Sequence, residues 1–251
     1  MGPDPFAAPR LTTLIGVGMS ARGNRNVGCV TMSRDAARQA MKDRILETTD
    51  RLFYGQGIRA VGVDTIAAEI GISKRTLYNY FPSKDALIVA YLTRRAVARS
   101  IPDRPPPEQI LDVFDWLERW FASRAFRGCP FVNAVAEIGE RAHPAIRIAI
   151  DQKERRRGAF RDILTRAGVA DPYGLATQLA ILVEGAIAAA LVRDDPTMAR
   201  AAKSAARVLL TAAGVFEGGE SAADPEITSR RRVRKSPSRS KTAGRAGTRR
   251  R

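Results

Sequence analysis

Histidine and cysteine are almost missing from this chain. One histidine, His143, and two cysteines, Cys29 and Cys129, stand among 251 residues. So sparse a set supplies neither a disulfide framework nor a dense metal site, so no metal and no cofactor are expected. A reducing cytoplasm is the simpler setting. Nowhere does a nucleophile stand beside a base, which argues against an enzyme. Aromatic residues are scarce too, at 6%, while alanine is abundant, and that balance favours close-packed helices over broad sheets. Long apolar runs are also lacking. The longest in the C-terminal half, residues 186–192, is too short to cross a bilayer. The run at 11–19 does not line up with the charged and cleavage regions of a signal peptide. No membrane span is expected.

Acidic residues are absent from residues 228–251, where eleven Lys and Arg lie, so the formal net charge of +16 leaves only +5 for the rest of the chain. The body is mildly basic, and the high pI belongs to a tail. On a nucleic acid, such a tail would steepen the salt dependence of binding by about 0.9 in log–log slope for each phosphate it neutralises. A solubilising, idle tail is its rival.

What is present is helical periodicity and punctuation. Residues 1–32 lack periodicity and read as a loose extension, with Met32 a candidate natural start. A helix is expected over 34–54, with Ala37, Met41, Ile45, Leu46, Thr49, Leu52 and Phe53 on one stripe, ended by Gly55 and Gly57. Further helices are expected over 63–70, 74–81 and 84–99, with Gly71 as the turn and Ser73 and Ser83 as caps. These four make a compact domain over 33–99. The proline-rich stretch 101–107 marks a boundary. A second domain, 107–216, follows, with helices over 108–123, 131–141, 145–166, 173–192 and 197–215. In the third of these, Ile146, Ile150, Phe160, Ile163 and Leu164 form the apolar edge while residues 153–157 face water. Residues 217–251 have little apolar area with which to fold.

The segment at 63–81, VDTIAAEIGISKRTLYNYF, is two short helices about a glycine turn. A helix-turn-helix places its second helix in the major groove. The exposed candidates there are Ser73, Lys74, Arg75, Thr76, Tyr78, Asn79 and Tyr80. Arginine suits guanine O6 and N7, asparagine suits adenine, and threonine meets a thymine methyl. Tyrosine hydroxyls and Lys84 suit phosphate oxygens. A short basic amphipathic helix also occurs in many all-helical proteins, and tyrosines often close a core.

The portion IAAEIGISKRTLYNYFPSKDAL, within residues 38–90, resembles the TetR family of bacterial transcriptional regulators. The resemblance implies an all-α homodimer on a palindromic operator, usually a repressor, with a small molecule entering the C-terminal domain. It places DNA contacts on Gly62, Val63 and Asp64, and on Lys74, Arg75, Thr76, Tyr78, Asn79, Tyr80 and Lys84. Two positions depart from the pattern. Gly62 replaces the usual capping Ser or Thr, and Arg75 stands where many members have glycine, which favours a G-containing half-site.

In the second domain, Phe114, Trp116, Phe121 and Phe131 are candidates to line a pocket for an apolar or aromatic effector. His143 reads as a helix cap and Cys129 as a small buried thiol, with ligand contact and oxidant sensing as their rivals. Glu137, Glu140 and Glu184 are candidates to face a cavity, with an ordinary polar helix side as the rival for the first two and pairing with an arginine as the rival for Glu184, whose neighbours are apolar. Small residues through the last two helices suit a bundle with several neighbours, and the resemblance makes these helices the dimer interface. The leading expectation is a cytoplasmic, nucleoid-associated repressor. Its alternatives are a constitutive architectural DNA-binding protein and a small-molecule binder whose helical head is incidental.

Overall fold

A computed structural model of the chain describes residues 33–96 and 104–216, all within one compact unit. The 11–19 run, Met32 and the basic tail lie outside these residues. Nine helices and no strand occur among the described residues, and the all-α expectation holds.

The first four helices build the head. Ser33 caps α1 (Arg34–Gln56) by accepting the Ala36 N–H at 3.1 Å. The helix ends at Gly57, whose φ of 95° disfavours any side chain. Gly55 lies inside the helix and does not end it. α2 (Val63–Ile70) closes on Gly71 in the left-handed region, with the Ile72 N–H reaching back to the Ala67 carbonyl. Ser73 then caps α3 (Lys74–Tyr80) through the Thr76 N–H at 3.0 Å. α3 stops one residue before the expected end, because Pro82 holds Phe81 extended. Ser83 starts α4 (Lys84–Arg95). Ile45, Leu52, Phe53, Ile66, Ala67, Ile70, Leu77, Phe81, Leu87 and Leu92 are buried together and fix the angle between the two short helices. Ala37, expected on the apolar stripe, is exposed.

The body comprises α5 (Pro106–Phe121), α6 (Pro130–Ile138), α7 (Pro144–Arg166), α8 (Pro172–Arg193) and α9 (Met198–Ala212). Proline occupies the first turn of α5, α6, α7 and α8, where its missing N–H costs nothing. For this reason α5 starts two residues before the position expected from the sequence. α8 packs between α7 and α9, α9 packs on α5, and α4 of the head packs on α7.

Two sequence expectations fail in α7. Ile150 is exposed, and Ala149 takes its place in the core. Within 153–157, Lys153 and Arg156 do not face water. They turn in to hold the Glu184 carboxylate at 2.5 Å and 2.7 Å. A carboxylate among apolar residues of α8 draws both cations across, because its desolvation must be offset. The 22 residues of α8 include a window of mean hydropathy 2.0, long and apolar enough to cross a membrane by length and composition. One face of α8, Leu175, Ala176, Leu179, Val183, Ala186, Ile187 and Ala190, is buried in the body instead.

Candidate nucleic-acid interface

Burial decides which side of α3 can meet a ligand. Leu77 is completely buried, and the turn around Gly71 fixes the helix at its other end. Lys74, Arg75, Tyr78 and Asn79 are therefore exposed, with Thr76 and Tyr80 half-buried beside them. Thr76 is engaged with the Ser73 hydroxyl at 2.9 Å, which orients it at the helix start. Tyr80 packs partly on the core, so its ring is structural and only its edge is available.

Electrostatics then separates the two cations of the first turn. Lys74 Nζ lies 2.9 Å from an Asp64 carboxylate oxygen, a bridge that ties α3 to the start of α2. That hydrogen bond, and next the charge of Asp64, push the Lys74 pKa up from its ordinary value. Lys74 stays cationic but partly neutralised. Arg75 has no acidic partner among the described residues, so its guanidinium is the free donor at this end of α3. Asp64, placed near DNA by the family resemblance, first serves to hold Lys74. Gly62 caps α2 without any side-chain hydrogen bond, as its lack of a hydroxyl requires. Val63 is half-buried against the core, while Asp64 is exposed. Lys84, half-buried at the start of α4, has its ammonium 6.0 Å from the Phe53 ring, on the flank where α3 ends.

The head is wired to the body through polar groups that the sequence pattern does not single out. Tyr54 Oη donates to the Gly128 carbonyl at 2.9 Å and accepts the Arg127 N–H at 2.9 Å. Glu137 is no ordinary surface acid. From within α6 its carboxylate accepts the Arg59 backbone N–H at 2.8 Å, and it comes so close to Gly57 that a Cβ there would sit 3.0 Å from its oxygen. His143 caps α7 by accepting the Ala145 N–H on Nδ1, and its Nε2 lies 3.4 Å from Asp85 of α4. At the far end of α4, buried Arg95 grips Asp50 of α1 through Nε at 2.5 Å and Nη2 at 2.7 Å. The same guanidinium lies 4.2 Å above the Tyr54 ring. Burial pushes the hydroxyl pKa of neighbouring Tyr91 up. Only proximity across the fold reveals these partners, since they lie 45 to 78 residues apart.

Of the proposed effector-lining residues, Phe114 and Phe131 are each 1% exposed and Phe121 is also buried, so these rings form core. Trp116 is half-buried and stacks on Trp120 at 5.2 Å. A shallow groove of about 610 Å³ lies elsewhere, between α1 and α4, lined by Leu46, Val89, Ala90 and Pro144 with Lys42 and Arg94. Cys129 is buried, with the Lys153 ammonium 3.2 Å from its sulfur.

The sequence profile of the bacterial regulatory proteins of the tetR family matches residues 45–91. A TetR-family transcriptional regulator from Streptomyces coelicolor is 30% identical, with a TM-score of 0.65 over 70% of this chain and 96% of that one. A regulator of the same type from Streptomyces avermitilis is 33% identical, with a TM-score of 0.63 over 70% of this chain and 98% of its own. An uncharacterized HTH-type transcriptional regulator of Mycobacterium tuberculosis is 39% identical over 83 residues, a match spanning 32% of this chain and 39% of the relative. The match thus spans well under half of that relative's length. With a capped recognition helix on a glycine turn, and likeness to the Streptomyces proteins through head and body alike, the chain belongs to the TetR family of bacterial transcriptional regulators.

Proposed function

We propose that this protein is a homodimeric repressor that reads a palindromic operator through α3 and leaves it when a small molecule binds the body. The observation that carries the reading is the exposed edge of α3, with Arg75 at its start meeting no acid among the described residues and Leu77 locking it from behind. Arg75 and Asn79 lie four residues apart, on one face, and so address neighbouring bases. Lys74 and Lys84 fix position on phosphates, with Tyr78, Thr76 and Tyr80 beside them. Gly62, Val63 and Asp64 border the same groove at the start of α2. On this reading residues 33–99 form the DNA-binding domain and 107–216 the effector and dimerisation domain. Action is at the nucleoid, in the cytoplasm.

Pairing through α8 and α9 is supported by the apolar surface that these helices leave uncovered. Ile181 is 65% exposed and Val192 86% on α8, and Val208 is 66% exposed on α9, with Gly185, Ala188, Ala201 and Ser204 between them. Small side chains there permit close helix approach, and two-fold pairing matches a symmetric site. Release is supported by the contacts that tie head to body, Tyr54 to the Gly128 carbonyl, the Arg59 N–H to Glu137 and Asp85 to His143. An apolar or aromatic effector acting at Phe114, Trp116, Phe121 and Phe131 would repack buried rings, so it needs higher affinity for one of two packings. Thermal-shift screening against metabolites, followed by operator release, is the check.

Selecting duplexes from a random library with the full-length protein tests the reading directly. A recovered palindrome is the expected result. Coating that grows with DNA length and prefers no sequence would instead mean an architectural protein. Replacing Arg75 with alanine is expected to cost about 1–3 kcal/mol of discrimination at a G-containing position. Equal weakening on selected and scrambled duplexes would place Arg75 on phosphate.

A further inference from the structure

The first half of α1 carries opposite charges on two adjacent edges. Arg34, Arg38 and Lys42 recur every four residues along one edge, and Asp35, Gln39 and Asp43 along the next. The acidic edge satisfies itself in part, with Gln39 Nε2 donating to Asp43 at 3.1 Å. The cationic edge finds no acid among the described residues. It finds rings instead. The Arg38 guanidinium lies 5.5 Å over the Tyr80 ring, and the Lys42 ammonium 5.8 Å from the Phe81 ring. Both rings sit where α3 ends, three to four residues before Lys84. α1 is therefore rolled with its positive edge toward the end of α3 and its negative edge turned aside.

The first two turns of α1 are not needed for the core. Residues 33–40 are all exposed, and the first buried side chain is Ile45. A three-residue cationic edge held beside α3, with no acid paired to it among the described residues, has a polyanion as its natural partner. We propose that Arg34 and Arg38, with Lys42 behind them, bind the DNA phosphates flanking each half-site, on the strand that Lys84 meets. This rests on the reading of α3 as the base-contacting helix. These residues position the head and carry no base discrimination.

The test uses the full-length protein, the duplex selected from the random library and a scrambled duplex, with binding measured by fluorescence anisotropy across a salt series. For Arg34→Ala/Arg38→Ala, the log–log salt slope is expected to become shallower by about 0.9 for each phosphate no longer neutralised, on both duplexes alike. The ratio of the two affinities should not change, and Arg38→Lys should keep most of the slope. An unchanged slope in a variant with wild-type circular dichroism would overturn the proposal. So would a changed affinity ratio, since that would mean base recognition by α1. If the wild-type protein selects no sequence at all, the reading of α3 fails, whereas the slope comparison on scrambled DNA still decides the role of α1.

Discussion

Replacing Arg95 with alanine lowers stability by about 3–5 kcal/mol, the largest effect expected of any single polar side chain here. Arg95 is 4% exposed, and its guanidinium bonds both oxygens of Asp50 between α1 and α4. It also packs on the faces of Tyr54 and Tyr91. Its removal leaves the Asp50 carboxylate in a site with little water and opens space between two tyrosine rings. Urea unfolding should show a lower midpoint at an unchanged slope. At roughly 2–4 °C per kcal/mol for a chain of this size, Tm should fall by about 10 °C. The double variant Arg95→Met/Asp50→Leu is expected to recover much of the loss, because neither charge is then stranded. A single variant as stable as wild type would show that the pair contributes nothing beyond its apolar stem. Because the pair fixes α4 on α1, operator affinity should drop with stability in the single variant and return in the double one.

Truncating Leu77 to alanine is expected to cost about 2–5 kcal/mol, the range for a fully buried leucine whose surroundings collapse only in part. Leu77 is 0% exposed and is the only residue of α3 that is buried outright. A seven-residue helix has no stability of its own in water, so its geometry depends on that one anchor. Two measurements separate stability from reading. Hydrogen exchange should accelerate in α2 and α3 more than in α8, and affinity for the selected duplex should fall further than affinity for scrambled DNA. Asn79→Ala provides the contrast, with stability near wild type and preference altered. Equal loss of both affinities in Leu77→Ala would mean that α3 is not what discriminates sequence.

The head was largely legible from sequence because its determinants are local. Ser33, Ser73 and Ser83 cap the helix that follows each of them, and Gly71 must turn left-handed to join α2 to α3. Pro82 ends α3. Each signal acts within a few residues, so periodicity and punctuation suffice to place Lys74, Arg75, Tyr78 and Asn79 on one exposed edge. The body was read less well for the opposite reason. Lys153 and Arg156 look like a solvated charge run until Glu184, on another helix, is placed opposite them. Ile150 looks like core until the rotation of α7 gives that position to Ala149. Nothing adjacent in sequence ties Glu137 to the Arg59 N–H or Tyr54 to the Gly128 carbonyl.

By itself, the sequence determined the helical class, the capped turn that presents α3, and the types of base that its side chains can address. These follow from backbone preferences and hydrogen-bond inventories that do not depend on distant residues. Only the tertiary structure decided which cations are spent and which are free. Asp64 partly neutralises Lys74, Asp50 takes Arg95, and Glu184 takes Lys153 and Arg156, while Arg75, Arg34 and Arg38 meet no acid among the described residues. Charge pairing depends on distance through space, and in a helical protein that distance is set by how the helices roll against one another.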